Sequence, residues 1–347
     1  MSTGSSGEAV ADESSRSEDS SEKNTGPTRV VVVGATAEEP PPGIGVIAEA
    51  VDIVFGDTED DLAEALPGSD VIFAWRPRSG LLQPVWASAT DVRWIQSASA
   101  GVDGLLFPEL VESHVVVTNA RGVFDGAIAE YVLGLILMLS KGLPGVLERQ
   151  RRKRWKHHDT ETLTGKHVLV AGVGPIGRSV GRVCGELGMV VRGVGSTARG
   201  RDDVFRVVFG PDELADACSW ADYVVNVLPG TERTRHIFDR DVFAAMRPSA
   251  RFVNVGRGST VDEAALVHAL HEGALAGAAL DVFEEEPLPD DSPLWVLPNV
   301  IVSPHMSGDF AGWREALVEV FVENLERYLT GRPLQNVVDK ERGYVPS

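Results

Sequence analysis

Between residues 166 and 187 the chain passes from a short apolar stretch, Lys166-His-Val-Leu-Val-Ala171, through Gly172-Val-Gly174-Pro-Ile-Gly177 into a segment with helical spacing. Three glycines at this spacing, following a strand and opening a helix, leave few folds open. The first makes a tight turn, the second lets backbone approach a pyrophosphate, and the third lets helix and strand pack closely. A pyrophosphate then lies on the helix N-terminus, where free N–H groups and the helix dipole favour negative charge. Gly172, Gly174, Pro175, Ile176 and Gly177 are therefore expected to hold a dinucleotide.

The surroundings fit such a turn. Strands are expected at Thr28 to Gly34, Val51 to Phe55, Asp70 to Trp75, Trp94 to Gln96 and Val115 to Thr118. A second series is expected at Lys166 to Ala171, Val190 to Val194, Tyr223 to Val227, Phe252 to Val255, Ala276 to Leu280 and Val300 to Ser303. Helical patterns fall between them, with a long apolar helix at Ala127 to Lys141, broken by Gly142-Leu-Pro144-Gly145, and an amphipathic one at Leu317 to Leu329. This alternation predicts parallel sheets with helices on both faces, in two α/β halves. Residues 1–27 are Ser, Glu, Asp and Gly with almost nothing to bury, and read as a disordered acidic tail.

A length of 347 residues suits two domains. The formal charge of −19 argues against a nucleic-acid partner, so the basic run Arg149 to His158 reads as a solvated or subunit-contacting segment. Cys184 and Cys218 lie in apolar helical contexts and read as buried free thiols. No apolar run is long enough for a membrane span and no signal pattern opens the chain, so a cytoplasmic location is expected. No metal site is expected.

An NAD site places an acidic residue near the end of the strand after the glycine turn, on the ribose 2′-hydroxyl. Here that position falls at Gly195, followed by Ser196, Thr197, Ala198, Arg199, Gly200 and Arg201. Hydroxyls and arginines suit a 2′-phosphate, which predicts NADP(H) in preference to NAD(H), with Ser196, Thr197 and Arg199 as contacts.

Several downstream segments share one pattern: Leu228-Pro-Gly-Thr-Glu-Arg-Thr-Arg-His236, Asn254-Val-Gly-Arg-Gly-Ser259, Ala279-Leu-Asp-Val-Phe-Glu-Glu-Glu-Pro287 and Ser303-Pro-His-Met-Ser-Gly308. With the glycine turn, in this order, they resemble the D-isomer-specific 2-hydroxyacid dehydrogenase family over roughly residues 70–339. The resemblance implies a Rossmann cofactor domain and a flavodoxin-like substrate domain, both doubly wound parallel sheets, with a cleft between them. It implies residues 28–122 and 307–340 for the substrate domain and 123–306 for the cofactor domain.

It further implies hydride transfer between a nicotinamide and a small 2-oxo or 2-hydroxy acid. Arg257 would pair with the substrate carboxylate, His305 would be the general acid/base, and Glu286 would support it. Asp281 would meet the nicotinamide amide, and Leu228, Pro229, Thr234 and Val255 would line the cofactor. Ser99, Ala100 and Gly101 would form an anion-binding turn, with Trp75, Arg76 and Arg78 near the pocket. A homodimer, with the 127–141 helix as an interface candidate, is also implied. Formate oxidation is disfavoured, since that branch carries Gln where this chain has Glu286. No serine-regulated domain is expected to follow, which disfavours a phosphoglycerate role. The alternative is a nucleotide-sensing regulatory protein of the same fold.

Overall fold

The structure, a computed structural model, describes residues 26–76 and 79–346. All but the last two residues of the expected acidic tail lie outside the described residues, as does Arg78. Among the described residues β1 (Arg29–Val33), β2 (Asp52–Gly56), β3 (Val71–Ala74), β4 (Trp94–Ser97) and β5 (Val116–Thr118) form one sheet of order β2-β1-β3-β4-β5. A second sheet contains β6 (His167–Ala171), β7 (Val190–Val194), β8 (Val208–Phe209), β9 (Tyr223–Asn226), β10 (Arg251–Asn254), β11 (Gly277–Leu280) and β12 (Val300–Val302). Its order is β12-β11-β10-β9-β6-β7-β8. Every pairing is parallel.

The order reverses beside β1 in the first sheet and between β6 and β9 in the second. In open parallel sheets, ligands bind at the carboxyl ends of strands at such reversals. Register sharpens the point. Ala171 pairs with Asn226, Asn226 with Asn254, Asn254 with Leu280, and Leu280 with Val302. The last residues of these strands thus stand in one row, and the loops that leave them emerge side by side.

The helices are α1 (Glu59–Ala65), α2 (Ser79–Leu82), α3 (Pro108–Glu112), α4 (Asp125–Lys141), α5 (Leu143–Arg151), α6 (Pro175–Glu186), α7 (Leu214–Trp220), α8 (Arg240–Ala245), α9 (Glu263–His271) and α10 (Trp313–Leu329). They cover both faces of the sheets, so the strands read as unbroken apolar runs. Val168 and Val170 face α4 and α6, packing with Ile128, Val132, Ile136, Val180 and Cys184. Leu169 and Ala171 face the other way, among α7, α8 and α9 residues such as Cys218, Phe243 and Leu270. Both thiols are free and buried, and burial pushes each up to about 12.

In the first sheet Val30 and Val32 pack with Phe73, Trp94 and the α10 residues Leu317, Val318, Phe321 and Leu325, while Val31 and Val33 face Leu62 and Leu66. Phe321 stacks on Phe73 with ring centroids 4.2 Å apart and planes at 4°, and on Trp94 at 5.6 Å. The chain therefore leaves this sheet after β5, builds the seven-stranded half, and returns to it through α10.

Several elements differ from expectation. The break at Gly142 does not end the helical path: Gly142 takes φ 60° and α5 begins at once, with Pro144 in its first turn, where a proline costs no hydrogen bond. The basic run is partly ordered on it, with Arg149 Nη2 3.0 Å from His158 Nδ1 and His158 Nε2 3.0 Å from the Lys141 carbonyl. Trp155 is fully exposed. The final helix starts four residues earlier, at Trp313. Short elements, among them α2, α3, β8, α7, α8 and α9, also lie where no element was predicted. No single helix among the described residues is long and apolar enough to cross a membrane. The pair α4 and α5 reaches that length together, but it bends by 66° and α4 is packed on α6.

Phe321 is completely buried between two aromatic rings of the sheet. Phe321→Ala is expected to cost about 3–5 kcal/mol of folding stability, read as a lower urea midpoint. A midpoint unchanged within error would show that α10 is not needed to complete the five-stranded half.

Candidate active site

The glycine turn leaves β6 at the order reversal. Gly172 takes φ 104°, and a Cβ there would meet the Val227 carbonyl oxygen at 2.9 Å. A Cβ on Gly177 would collide with the Gly172 carbonyl, whereas one on Gly174 would meet nothing within 4 Å. Gly174 is the N-cap of α6 and offers no side-chain cap. The first-turn N–H groups of a twelve-residue helix therefore open onto free space, an arrangement that accepts an anionic ligand. These features fit the pyrophosphate of a dinucleotide.

Beyond β7, a Cβ on Gly195 would approach Val173 Cγ2 to 2.7 Å, so a side chain there would have to displace Val173. Ser196, Thr197 and Arg199 follow, all exposed. Arg199 pairs through its backbone with Val208, and its Nη2 lies 3.4 Å from Asp202 Oδ2. Asp202 is the hub of this loop. Burial opposes its charge, but the N–H groups of Phe205 and Val204 and the Arg178 guanidinium hold its carboxyl well below the usual range.

The loop after β9 carries Leu228, Pro229 and Thr234. It is tied to itself: Thr234 Oγ1 donates to the Pro229 carbonyl at 2.6 Å and accepts from the Thr231 N–H at 2.9 Å. Val255 is buried, and its N–H donates to the Asn226 carbonyl. Two residues on, Arg257 stands between two glycines for a steric reason. A Cβ on Gly258 would collide with the Phe283 carbonyl, and one on Gly256 would meet the Leu228 carbonyl at 2.7 Å.

A buried amide network unforeseen from the sequence supports this loop. Asn226 Nδ2 donates to Asn254 Oδ1 at 2.9 Å and to Thr260 Oγ1 at 2.7 Å. Thr260 Oγ1 donates to the Arg257 carbonyl at 2.6 Å, and Asn254 Oδ1 accepts from the Gly256 N–H at 3.1 Å. The signal was present: an asparagine closes each of the apolar strands Tyr-Val-Val-Asn226 and Arg-Phe-Val-Asn254.

The loops after β11 and β12 bring Glu286 and His305 together. His305 Nδ1 is 2.7 Å from Glu286 Oε2, and Glu286 Oε1 accepts from the Phe283 N–H at 3.0 Å. The second ring nitrogen, Nε2, has no protein partner among the described residues and is free to meet a ligand. The hydrogen bond to Glu286 holds the imidazole above its ordinary pKa, more than offsetting burial and the nearby Arg257 charge. Glu286 is raised by burial but held below its usual range overall by His305, the Phe283 N–H and Arg257. Arg257 acts electrostatically on both groups, and its loop abuts the one that carries Glu286: a Cβ on Gly258 would collide with the Phe283 carbonyl.

Asp281 is fully buried. Its Oδ1 accepts from Ser303 Oγ at 2.6 Å and the Met306 N–H at 3.0 Å, and its Oδ2 accepts from the Ser307 N–H at 2.8 Å. Its backbone carbonyl accepts from the His305 N–H at 2.8 Å. The expected contact to a nicotinamide amide is thus joined by a second task, holding the histidine loop.

From the other half, the Ser99-Ala100-Gly101 turn after β4 faces Arg257. Ala120 N–H donates to the Ser99 carbonyl, Asn119 Nδ2 donates to the Ala100 carbonyl at 2.6 Å, and Ser99 Oγ donates to the Gly101 carbonyl. All three carbonyls are engaged, while the N–H groups of Ala100 and Gly101 have no protein acceptor among the described residues. That polarity suits an anion. Arg76 follows β3, its stem packed on Gly34, and no described contact joins it to Arg257 or His305. Asp103, unforeseen as a site residue, forms an ion pair with Arg257.

The family described as D-isomer specific 2-hydroxyacid dehydrogenase, NAD binding domain, matches residues 133–307. A D-3-phosphoglycerate dehydrogenase of Methanocaldococcus jannaschii is 32% identical over 83% of this chain, which spans only 55% of that longer relative. A glyoxylate/hydroxypyruvate reductase A of Arabidopsis thaliana is 34% identical over 69% of this chain and 76% of its own length. A D-isomer specific 2-hydroxyacid dehydrogenase of Xanthobacter autotrophicus, solved in complex with NADPH and MES, superposes with a TM-score of 0.77 at 30% identity, covering 92% of this chain and all of that one. An NADPH-dependent glyoxylate/hydroxypyruvate reductase of Sinorhizobium meliloti, solved with NADP and sulfate, gives 0.77 at 25% identity, covering 91% of this chain and 100% of its own.

The His305–Glu286 pair is directly measurable. The His305 imidazole, followed by NMR of its ring protons, is expected to titrate above the ordinary histidine value. Glu286→Gln removes the anion and should bring the titration down, because burial and Arg257 are then opposed only by the smaller influence of Asp281. A titration that does not move in Glu286→Gln would disprove the coupling.

Proposed function

Because the chain belongs to the D-isomer specific 2-hydroxyacid dehydrogenase family, we propose that it reduces the carbonyl of a small 2-oxo acid to the corresponding 2-hydroxy acid at the cluster of Arg257, Glu286 and His305. The observation that carries this reading is the His305 Nδ1–Glu286 Oε2 contact of 2.7 Å, which leaves Nε2 as the only free ring nitrogen. A general acid for a carbonyl must stay protonated near neutral pH and offer one N–H to the substrate. Glu286 provides for both.

Residues 123–306 hold the dinucleotide in this reading, with Gly172 to Gly177 on its pyrophosphate and Leu228, Pro229, Thr234, Val255 and Asp281 around the rest. When bound, the nicotinamide cofactor supplies the hydride to the carbonyl carbon. Residues 28–122 and 307–340 present the substrate. Arg257 takes the substrate carboxylate and, with the free N–H groups of Ala100 and Gly101, orients the 2-oxo group. His305 Nε2 donates its proton to the carbonyl oxygen, and Glu286 stabilises the imidazolium until then. Arg76, with Ser99, lies on the substrate side.

NADP(H) is the preferred cofactor. Gly195 brings no carboxylate to a ribose 2′-hydroxyl, and Ser196, Thr197 and Arg199 present hydroxyls and a cation instead. The protein acts as a homodimer in the cytoplasm. Leu143, Val146, Leu147 and Trp155, exposed on and after α5, supply apolar surface for a second copy beside α4.

Oxidation of NADPH, and separately NADH, followed at 340 nm with a panel of 2-oxo acids tests this reading. Turnover with glyoxylate, hydroxypyruvate or a bulkier 2-oxo acid is expected, with higher kcat/KM for NADPH. Equal kcat/KM for the two cofactors would defeat the preference, and silence with the whole panel would defeat the reading. His305→Ala should lower kcat by about 10²–10⁴-fold while NADPH binding persists. Light scattering should give twice the chain mass of 37.2 kDa; a monomer overturns the dimer.

A further inference from the structure

Arg257 is anchored from the opposite side of the cleft. It rises from the end of β10, in the seven-stranded half, yet its Nε donates to both carboxylate oxygens of Asp103, at 3.1 Å each. Asp103 lies just past the anion-binding turn after β4, in the five-stranded half. Among the described residues this is the only ion pair between residues 28–122 and residues 123–306. Neither partner is deeply buried, with 27% of the arginine and 38% of the aspartate side chain exposed. The pair therefore adds little to stability, and its value lies in geometry.

The rest of the guanidinium is equally constrained. Nη1 donates to the Gly256 carbonyl at 2.8 Å. Nη2 lies against Gly101, where a Cβ would collide with it. Nη2 has no protein partner among the described residues. With Nε taken by Asp103, the N–H groups left for a ligand are those of the outer edge, on Nη1 and Nη2. That edge presents the parallel donors a carboxylate takes end-on. It does so beside the free N–H of Gly101.

We propose that Asp103 is a positioning residue: by occupying Nε across the cleft, it turns the outer edge of Arg257 toward the substrate carboxylate, and only when the two halves are apposed. This rests on the 2-oxo acid reading above. It also carries an unusual sign. An aspartate so close to a carboxylate site repels the substrate, so a residue that merely added charge would improve binding when removed. A residue that aims the arginine has the opposite effect.

The test uses Asp103→Ala, Asp103→Asn and Gly101→Ala in the full-length protein. Asp103→Ala is expected to raise KM for the 2-oxo acid and lower kcat/KM between about 10- and 100-fold, the range set by misaligning a reacting group. The dissociation constant of NADPH, read by protein fluorescence, should stay unchanged. Asp103→Asn keeps one acceptor for Nε and should fall between Asp103→Ala and the parent. Gly101→Ala displaces the guanidinium from the other side and should raise KM likewise. An unchanged or lower KM in Asp103→Ala, with kcat intact, overturns the proposal.

A second measurement does not depend on turnover. Phenylglyoxal should modify Arg257 several-fold faster in Asp103→Ala than in the parent, followed on the tryptic peptide by mass spectrometry. Equal rates show that Asp103 does not hold the arginine, and overturn the proposal whatever the enzyme's substrate. Faster modification in a protein that reduces no 2-oxo acid would leave the contact standing and sink the functional reading, taking the substrate role of Asp103 with it.

Discussion

The carboxylate of Asp281 is the fixed point of the site. It sits at the end of β11 with no exposure, and its oxygens take the hydroxyl of Ser303 and the N–H groups of Met306 and Ser307. A buried carboxylate without such donors would be costly, and here the donors come from the segment that carries the catalytic candidate. His305 between them takes φ 51°, a conformation rarely adopted by a non-glycine residue. Such a residue persists only when its surroundings over-determine it. The Asp281 carbonyl, accepting from the His305 N–H, completes that constraint. Without the Asp281 carboxylate the loop that carries His305 would lose three of the hydrogen bonds that hold it.

Under Arg257 the same problem is solved with neutral groups. The side chains of Asn226, Asn254 and Thr260 satisfy one another and the loop backbone, so the arginine leaves a rigid floor rather than a free loop. Gly256 and Gly258 let that floor press against the backbone of neighbouring loops. The parallel register then does the rest. Because Asn226, Asn254 and Leu280 stand in one row, residues distant in sequence arrive at one edge of the sheet.

Much of this was legible in the sequence, for identifiable reasons. Strands buried on both faces leave unbroken apolar runs such as Val30 to Val33 and Val168 to Ala171, and these were read at nearly their true bounds. The glycine turn was legible because two of its glycines, Gly172 and Gly177, answer steric demands that a Cβ would violate. What escaped notice depends on contacts that carry no periodic mark. The helices α7, α8 and α9 are short, and β8 is two residues long. Asp103 looks like any loop acid until the fold sets it opposite Arg257. The second task of Asp281 was equally hidden, since its donors lie 22–26 residues downstream.

The chain crosses between its two halves twice, once before α4 and once before α10, and the two crossings touch. A Cβ on Gly308 would meet the Phe124 ring at 3.0 Å, and the Phe124 and Trp313 rings lie 6.3 Å apart. Two covalent strands side by side make a different joint from a single linker. One tether would let the halves twist and slide. A pair of abutting tethers resists torsion and permits mainly bending about the line that joins them, as two pins confine a door to one swing. The approach of the Ser99–Gly101 turn to Arg257 would then follow mainly that bend.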